Sequence, residues 1–207
     1  MRRISLRTTA GLRCEIKFSR LENLEPMGTS EMSHEKEEKM PPEAIFQLHL
    51  VLGYVAWMFC FLTYLWPRLK AMDRIEAQRA IATLHSFRFF GLVFLLPGVI
   101  GVHLPPGFAA FAAYGDFATG ILAILALLTI RIRPLFWSFV VAYNLMGAVD
   151  ILVDYYHGVK FNLPALSGEL GATYAIPIIY VPLLMITHVA AFYLLARSSA
   201  HKQQTTQ

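Results

Sequence analysis

Charged residues are scarce in this sequence. Of its 207 residues, 15% are Asp, Glu, Lys or Arg, whereas 56% are hydrophobic. A soluble domain carries about 25% charged residues. The scarcity is sharper after position 43, because residues 44–207 hold only 10 basic and 6 acidic residues. So few charges cannot cover the surface of a soluble protein of this size, which indicates an integral membrane protein surrounded by the lipid bilayer.

The sequence has only two cysteines. It also lacks the local motifs of many catalytic and nucleotide-binding sites. Cys14 and Cys60 have neither the number nor the spacing of a disulfide framework or a zinc site. The sequence has no phosphate-binding loop, nucleophile elbow or dinucleotide fingerprint. The net charge of +4 does not indicate nucleic-acid binding, because the basic residues cluster between apolar segments.

The first 43 residues differ from the rest of the chain. They hold 8 basic and 8 acidic residues, and residues 31–39 are densely charged. Such a composition predicts a solvated, disordered tail. The alternative is that Met40, directly before Pro41 and Pro42, is the true start of the protein, and both interpretations fit the sequence.

Five apolar segments follow, and a helix needs roughly 20 residues to cross a bilayer. They predict an all-α membrane helix bundle in residues 44–197, followed by a cytoplasmic tail at 198–207. The predicted spans are 44–66, 86–104, 108–130, 135–157 and 174–196. The second span is the shortest, so a re-entrant segment is the alternative there. Residues 72–84 alternate apolar and charged side chains, which predicts an amphipathic helix on the inner membrane surface.

Lys and Arg are distributed unevenly over the predicted loops. Of the ten basic residues after position 43, nine fall on one side of the predicted bundle, and Lys160 falls on the other. Cytoplasmic loops are enriched in Lys and Arg. The distribution therefore predicts a multi-pass protein of the cell inner membrane, with its N-terminus outside and its C-terminus in the cytoplasm.

The stretch 83–101 begins with two polar residues, His85 and Arg88, and then becomes apolar. Positions three apart share a helical face, so both side chains should point the same way. In the predicted topology, His188 of the last span lies in the same half of the membrane. Because an unpaired cation in a membrane is costly, we expect His85, Arg88 and His188 to form an inner cluster. The alternative is an arginine that snorkels to the interface and histidines that only bond neighbouring helices.

Polar residues in the other half of the membrane predict an outer cluster. His49 lies early in the first span, Asp116 lies in the third, and Asn144 and Asp150 share one face of the fourth. An intramembrane carboxylate is by default a functional-site hypothesis. His49 has a suitable depth to pair with Asp150, and Asp116 is the alternative partner. Asp154 is expected to be interfacial, and the remaining alternative is that the aspartates serve only helix association.

Part of the first span resembles a known family. Leu48-His49, Trp57 and Tyr64-Leu65-Trp66-Pro67-Arg68-Leu69 are similar to the first helix of the small membrane-bound protoporphyrinogen oxidases, which handle haem precursors. Trp66 interrupts the family's Tyr-Leu-Pro-Arg-Leu motif and the resemblance stops at Leu69, so no catalytic role is carried over. Residues 44–197 as a whole resemble an uncharacterised family of bacterial inner-membrane proteins, which implies a membrane location.

These features lead us to expect a membrane protein that binds a small ligand or cofactor at its intramembrane His, Asp and Arg residues. Haem is one candidate cofactor, with His85 and His188 as candidate axial ligands, and a quinone is a candidate ligand. A proton- or ion-coupled small-molecule transporter is the first alternative, and a membrane assembly subunit without chemistry is the second. The sequence leaves open whether the protein is an enzyme and whether it forms oligomers.

The charge bias predicts that a reporter fused to the C-terminus lies in the cytoplasm. A fluorescent protein that matures only in the cytoplasm should be bright there, and an alkaline phosphatase that needs an oxidising compartment should be inactive. Fusions directly after Lys160 should give the opposite pattern. An active phosphatase at the C-terminus would overturn the predicted orientation.

Overall fold

The computed structural model describes residues 40–204, with side chains up to Ala196. Of the tail predicted at residues 1–43, residues 1–39 lie outside the described part, whereas Pro42 and Glu43 are already helical. Six α-helices are connected by two 3₁₀ segments and two π-helical turns. The 3₁₀ segments are Ser86–Leu95 and Ser167–Tyr174, and the π-helical turns are Phe61–Leu65 and Ile176–Tyr180. The α-helices are α1 (Pro42–Cys60), α2 (Trp66–Ala71), α3 (Arg74–His85), α4 (Pro106–Leu128), α5 (Arg133–Lys160) and α6 (Val181–Gln204). Residues 40–204 contain no β-strand, and the predicted all-α class is confirmed.

Four helical stretches are long and apolar enough to cross a membrane, not the five that were predicted. They are Pro42–Ala71, Pro106–Leu128, Arg133–Lys160 and Ile176–Ala196. The predicted second span at 86–104 is wrong, because residues 86–95 form a 3₁₀ segment and the chain then turns irregularly. Pro97 and Gly98 lie at this turn, and Gly98 has a φ of 80°. A proline followed by a glycine in the left-handed region does not continue a helix.

The chain from Arg74 to Gly101 nevertheless runs from one end of the bundle to the other. At its start, the Arg74 guanidinium lies 4.7 Å from the centroid of the Trp137 ring, near the beginning of α5. At its finish, the Gly101 amide donates a 2.7 Å hydrogen bond to the Glu169 carbonyl oxygen, beyond the end of α5. We call the end of the bundle that contains residues 96–105 and 161–174 the cap end. The end that contains Arg74 and residues 129–133 is called the opposite end.

The helix α3 is amphipathic, as predicted, and it packs its apolar face into the bundle. The Asp73 carboxylate caps its N-terminus by accepting hydrogen bonds of 2.8 and 3.1 Å from two backbone amides of the first turn. Its apolar face is buried against α4, α5 and α6. On the same face, Gln78 donates a 3.0 Å hydrogen bond to the Ala191 carbonyl oxygen of α6. The residues that follow α3 therefore enter the bundle interior.

Both π-helical turns occur beside a proline. Pro67 follows the turn Phe61–Leu65, and Pro177 lies within the turn Ile176–Tyr180. Proline has no amide hydrogen, so a helix that contains it loses a backbone hydrogen bond. A π turn absorbs such a mismatch by bonding over five residues, as the Trp66 amide does when it donates to the Phe61 carbonyl oxygen. The first and last spans therefore continue through their prolines.

The loop 96–105 and the 3₁₀ segment Ser167–Tyr174 close the cap end together. The Glu169 carboxylate accepts a 3.1 Å hydrogen bond from the His103 amide, in addition to the backbone bond from Gly101. A buried apolar cluster joins this closure to the starts of α1 and α4. At the opposite end, Leu195 of α6 packs against the cluster around Phe136 of α5. The backbone of α6 continues to Gln204, so the predicted tail at 198–207 is helical over most of its length.

Gly120 of α4 lies at a close approach between α4 and the first 3₁₀ segment, because a Cβ atom there would lie 2.9 Å from the Phe89 amide nitrogen. We predict that Gly120→Ala lowers the unfolding temperature in detergent, since overpacking costs about 1–3 kcal/mol. Gly107→Ala on the same helix is the matched control, because nothing lies within 4 Å of its added methyl group. Equal unfolding temperatures for the two variants would contradict the close packing.

Candidate functional site

Arg88 lies at the centre of a polar network inside the bundle, with 1% of its surface exposed. Its Nε donates a 2.6 Å hydrogen bond to Asp116 Oδ1 of α4, and its Nη2 donates a 2.5 Å bond to Asp150 Oδ2 of α5. Its Nη1 donates to the Gly147 carbonyl oxygen at 3.2 Å and lies 3.3 Å from His188 Nε2 of α6. One guanidinium group therefore links the first 3₁₀ segment to three helices.

Glycines bring the backbones close enough for these contacts. A Cβ atom at Gly147 would overlap the Arg88 guanidinium. A Cβ atom at Gly91 would overlap the Asp116 carboxylate, and one at Gly115 would overlap the Asp150 carboxylate. Small residues at helix contacts are what allow such an approach inside a membrane.

The hydrogen bonds also define the protonation of His188. An arginine side chain can only donate, so His188 Nε2 accepts from Arg88 and carries no proton. The proton is then on Nδ1, which donates to Asn144 Oδ1 at 2.9 Å. The Asn144 amide nitrogen donates in turn to the Val140 carbonyl oxygen at 2.8 Å, which agrees with this orientation of the amide. His188 is therefore a neutral imidazole that extends the network along α5.

His85 lies beside His188, with the two ring centroids 4.0 Å apart and the ring planes inclined by 35°. The Thr187 hydroxyl donates to a backbone carbonyl oxygen of its own helix, so it accepts from His85 Nε2 at 3.1 Å. The Tyr143 ring lies 5.5 Å from the His85 ring, centroid to centroid. The His85 and Tyr143 side chains are fully buried, and His85 Nδ1 has no hydrogen-bond partner among residues 40–196.

The geometry of His85 and His188 does not fit the axial ligation of a haem. Two axial ligands approach the iron from opposite faces of the macrocycle, so the haem has to fit between their rings. A centroid separation of 4.0 Å is that of rings in direct contact. Both Nε2 atoms are also engaged, one with Thr187 and the other with Arg88. Within residues 40–196, no three His, Cys, Asp or Glu side chains converge to hold a metal ion either.

The predicted inner and outer clusters form a single network, so their separation in the prediction is wrong. The network contains His85, Arg88, Asp116, Asn144, Asp150 and His188. The two clusters were predicted to be separate because Arg88 was expected at the inner end of a span. In the structure, α3 enters the bundle, so that Arg88 lies at the level of Asp150.

His49 is the predicted site residue that the structure places elsewhere. It is exposed on α1, and its Nδ1 lies 2.9 Å from the Tyr174 hydroxyl at the cap end. The expected pairing of His49 with Asp150 is therefore wrong, and Asp150 pairs with Arg88 instead. Asp150 faces the interior, as predicted, with 2% of its surface exposed. The first span lies at the edge of the bundle, where only 11% of its apolar window is buried.

A cavity of about 290 Å³ ends at this network. It lies between α1, α4, α5 and the start of the last span, towards the cap end, and Asp116 forms part of its wall. The Tyr155 hydroxyl, also at the wall, makes a 2.6 Å hydrogen bond with the Tyr54 hydroxyl that joins α5 to α1. The remaining wall is mostly apolar and includes Phe46, Phe94, Phe108, Ile151 and Ile176. A cavity of this size encloses a small organic molecule.

The position of Asp154 differs from the one predicted. Its sequence spacing already indicated that it faces the interior with Asp150, because it follows Asp150 by four residues and so shares its helical face. Its depth suggested an interfacial residue. Because α5 runs on to Lys160 and the cap segment covers its end, Asp154 lines the cavity instead. Its Oδ1 is buried and has no hydrogen-bond partner in the part of the chain whose side chains are described, residues 40–196.

The fold and the site together define a polytopic α-helical protein with four candidate membrane spans and a buried arginine–aspartate network. Residues 45–196 match the model of a family described as a domain of unknown function (DUF8737), and the chain belongs to this family. The expectation of an uncharacterised family is thereby confirmed, whereas the local resemblance to the protoporphyrinogen oxidases finds no support. Searches of curated proteins and of solved structures give no match.

We predict that Arg88→Met strongly destabilises the protein. Removing one partner of a buried ion pair costs about 3–5 kcal/mol, because an uncompensated charge stays buried. Arg79→Met is the matched control, since the side chains of the Arg79–Glu76 pair are 54% and 49% exposed and exposed pairs contribute little. Unfolding temperatures in detergent measure the difference.

A triple variant separates charge from shape. Adding Asp116→Asn and Asp150→Asn to Arg88→Met should recover much of the lost stability, because amides stay neutral when they are buried. Two results would show that charge pairing is not the cause: equal losses for Arg88→Met and Arg79→Met, or no recovery in the triple variant.

Proposed function

We propose that this protein binds a small ligand within the membrane, in the cavity that ends at Asp116. One observation carries the proposal: the apolar cavity leads to the Asp116 carboxylate, which is bonded to Arg88. Ligand sites are typically concave and mostly apolar, with a few fixed polar groups that orient the ligand. The apolar body of the ligand would contact the cavity walls, and its polar end would contact Asp116 and Asp154.

The contacts of Arg88 support this role because they fix the polar end of the cavity. Asp116 Oδ1 is held by Arg88 Nε, and Arg88 is held in turn from α5 and α6. A polar group that is already immobile loses little conformational freedom when a ligand binds, which favours affinity. A loosely held carboxylate in the same wall would give a weaker and less selective site.

A proton- or ion-coupled transporter is the second candidate, and the continuity of the network favours it. Polar contacts lead from Asp116 at the cavity through Arg88 to His188, and His85 stacks on His188 towards the opposite end. Carboxylates and histidines arranged in series across a membrane are the components of proton relays. Arg88, which keeps its protons, would hold the charge between Asp116 and His188 rather than pass a proton. Uptake of the bound molecule into proteoliposomes under a pH gradient would distinguish transport from binding alone.

We also propose that the cap end faces the outside of the cell inner membrane and the opposite end faces the cytoplasm. Arg88 lies inside the bundle, so it no longer counts among the nine basic residues on the predicted cytoplasmic side. Eight of the ten basic residues after position 43 still belong to segments at the opposite end, which supports this orientation. The cavity would then lie in the outer half of the membrane.

Filling the cavity tests the proposed function. We predict that Ala112→Phe abolishes binding, because Ala112 lines the cavity, and that Ala110→Phe, a partly exposed position on the same helix, does not. The probes are phenylbutylamine, phenylbutanol, phenylbutyrate and a short-chain ubiquinone. The first three share an apolar body and differ in the head group. The rise of the unfolding temperature with probe concentration in detergent measures binding.

At least one probe should stabilise the wild type and Ala110→Phe but leave Ala112→Phe unchanged. The Ala110→Phe variant also controls for partitioning of the probes into the micelle. If no probe stabilises the wild type in this Ala112-dependent manner, the proposal fails, and an assembly subunit without a ligand becomes the better interpretation.

A further inference from the structure

The described part of the cavity wall contains acids but no basic side chains. Within residues 40–196, two of the lining residues, Asp116 and Asp154, are acids, and none is Lys, Arg or His. Arg88, the cation bonded to Asp116, is shared with Asp150, so one guanidinium already faces two carboxylates before Asp154 is counted. In a low-dielectric interior, surplus acids favour a positively charged or hydrogen-donating group beside them.

The aromatic part of the wall favours the same kind of group. Phe46, Phe94 and Phe108 line the cavity, and the Phe94 and Phe108 rings meet edge to face with centroids 6.2 Å apart. The face of an aromatic ring attracts an ammonium group, and its apolar surface accommodates hydrocarbon. A carboxylate or phosphate ligand would instead meet two acids of its own sign.

A bare metal ion fits this wall less well. Hard cations take six or more oxygen ligands, and transition metals prefer imidazole or thiolate groups. Among the side chains of residues 40–196, no three His, Cys, Asp or Glu groups converge. The rest of the cavity wall is dominated by hydrocarbon and phenyl rings, which are not ligands for such ions.

We propose that the cavity binds a lipophilic amine, with its protonated nitrogen at the carboxylates of Asp116 and Asp154 and its hydrocarbon part against the phenylalanine rings. This inference rests on the proposed function, because it names the ligand class of the same cavity. An ammonium group donates several hydrogen bonds, which the carboxylates of Asp116 and Asp154 in the cavity wall would accept. Charge-assisted bonds are stronger than neutral ones, so affinity depends strongly on the head group.

The phenylbutyl probes test this assignment on the wild-type protein. Phenylbutylamine should raise the unfolding temperature more than phenylbutanol does, and phenylbutyrate should have no effect. Asp154→Asn keeps the side-chain shape but removes the charge. It should weaken amine binding by about ten-fold or more and leave phenylbutanol binding nearly unchanged. Glu76→Gln, which removes an exposed acid on α3, is the control and should bind the amine as the wild type does.

The outcomes separate the ligand class from the site. If phenylbutanol or the ubiquinone stabilises at least as strongly as the amine, and Ala112→Phe removes that effect, the cavity is a ligand site and the amine class is wrong. Equal amine affinity of wild type and Asp154→Asn also overturns the class. If Asp154→Asn does not fold, the head-group ranking on the wild type decides. Absence of any Ala112-dependent binding removes the amine proposal together with the proposed function.

Discussion

The pairing of the Arg88 guanidinium with two buried aspartates is the interaction on which the arrangement of the helices depends. A cation inside a membrane is costly unless it is matched by acceptors. Those acceptors come from Asp116 on α4, from Asp150 and Gly147 on α5, and from His188 on α6, so three helices must converge on one side chain. The glycines on these helices follow from this requirement, since any larger residue there would push the partners apart.

The same requirement explains why one chain segment that passes through the bundle is not an apolar helix. A lipid-exposed helix has to be apolar on all sides and fully hydrogen-bonded, whereas a segment packed against other helices does not. Residues 74–95 bury polar side chains such as Gln78 and Arg88 on their inner side and expose phenylalanines such as Phe87 and Phe90 on the other. The 3₁₀ backbone of Ser86–Leu95 is therefore supported by α4, α5 and α6 rather than by the apolarity of the segment itself.

The sequence predicted the parts of the fold that depend on hydropathy alone. Four of the five predicted spans, the buried position of Asp150 and the meeting of His85, Arg88 and His188 all follow from which side chains lipid cannot accommodate. The depth of each polar side chain in the bundle and the residues that it contacts could not be predicted in the same way. They depend on the path of α3 into the bundle and on the peripheral position of α1, which removes His49 from the site. Hydropathy identifies a polar residue inside a membrane, but tertiary packing selects its partner.

Asp116, Asp150 and Asp154 have different surroundings inside the bundle. Their contacts therefore indicate which of them stabilise the fold and which are available to the proposed ligand. Asp150 is 2% exposed, pairs with Arg88 and does not line the cavity, so its charge serves the fold. Asp154 lines the cavity and makes no contact with Arg88 close enough for an ion pair, so Arg88 does not engage its carboxyl group. Asp116 does both, because one oxygen bonds Arg88 while the side chain forms part of the wall. A ligand at Asp154 would therefore be linked through Asp116 to the contacts that hold four chain segments together, and its binding would tighten the bundle.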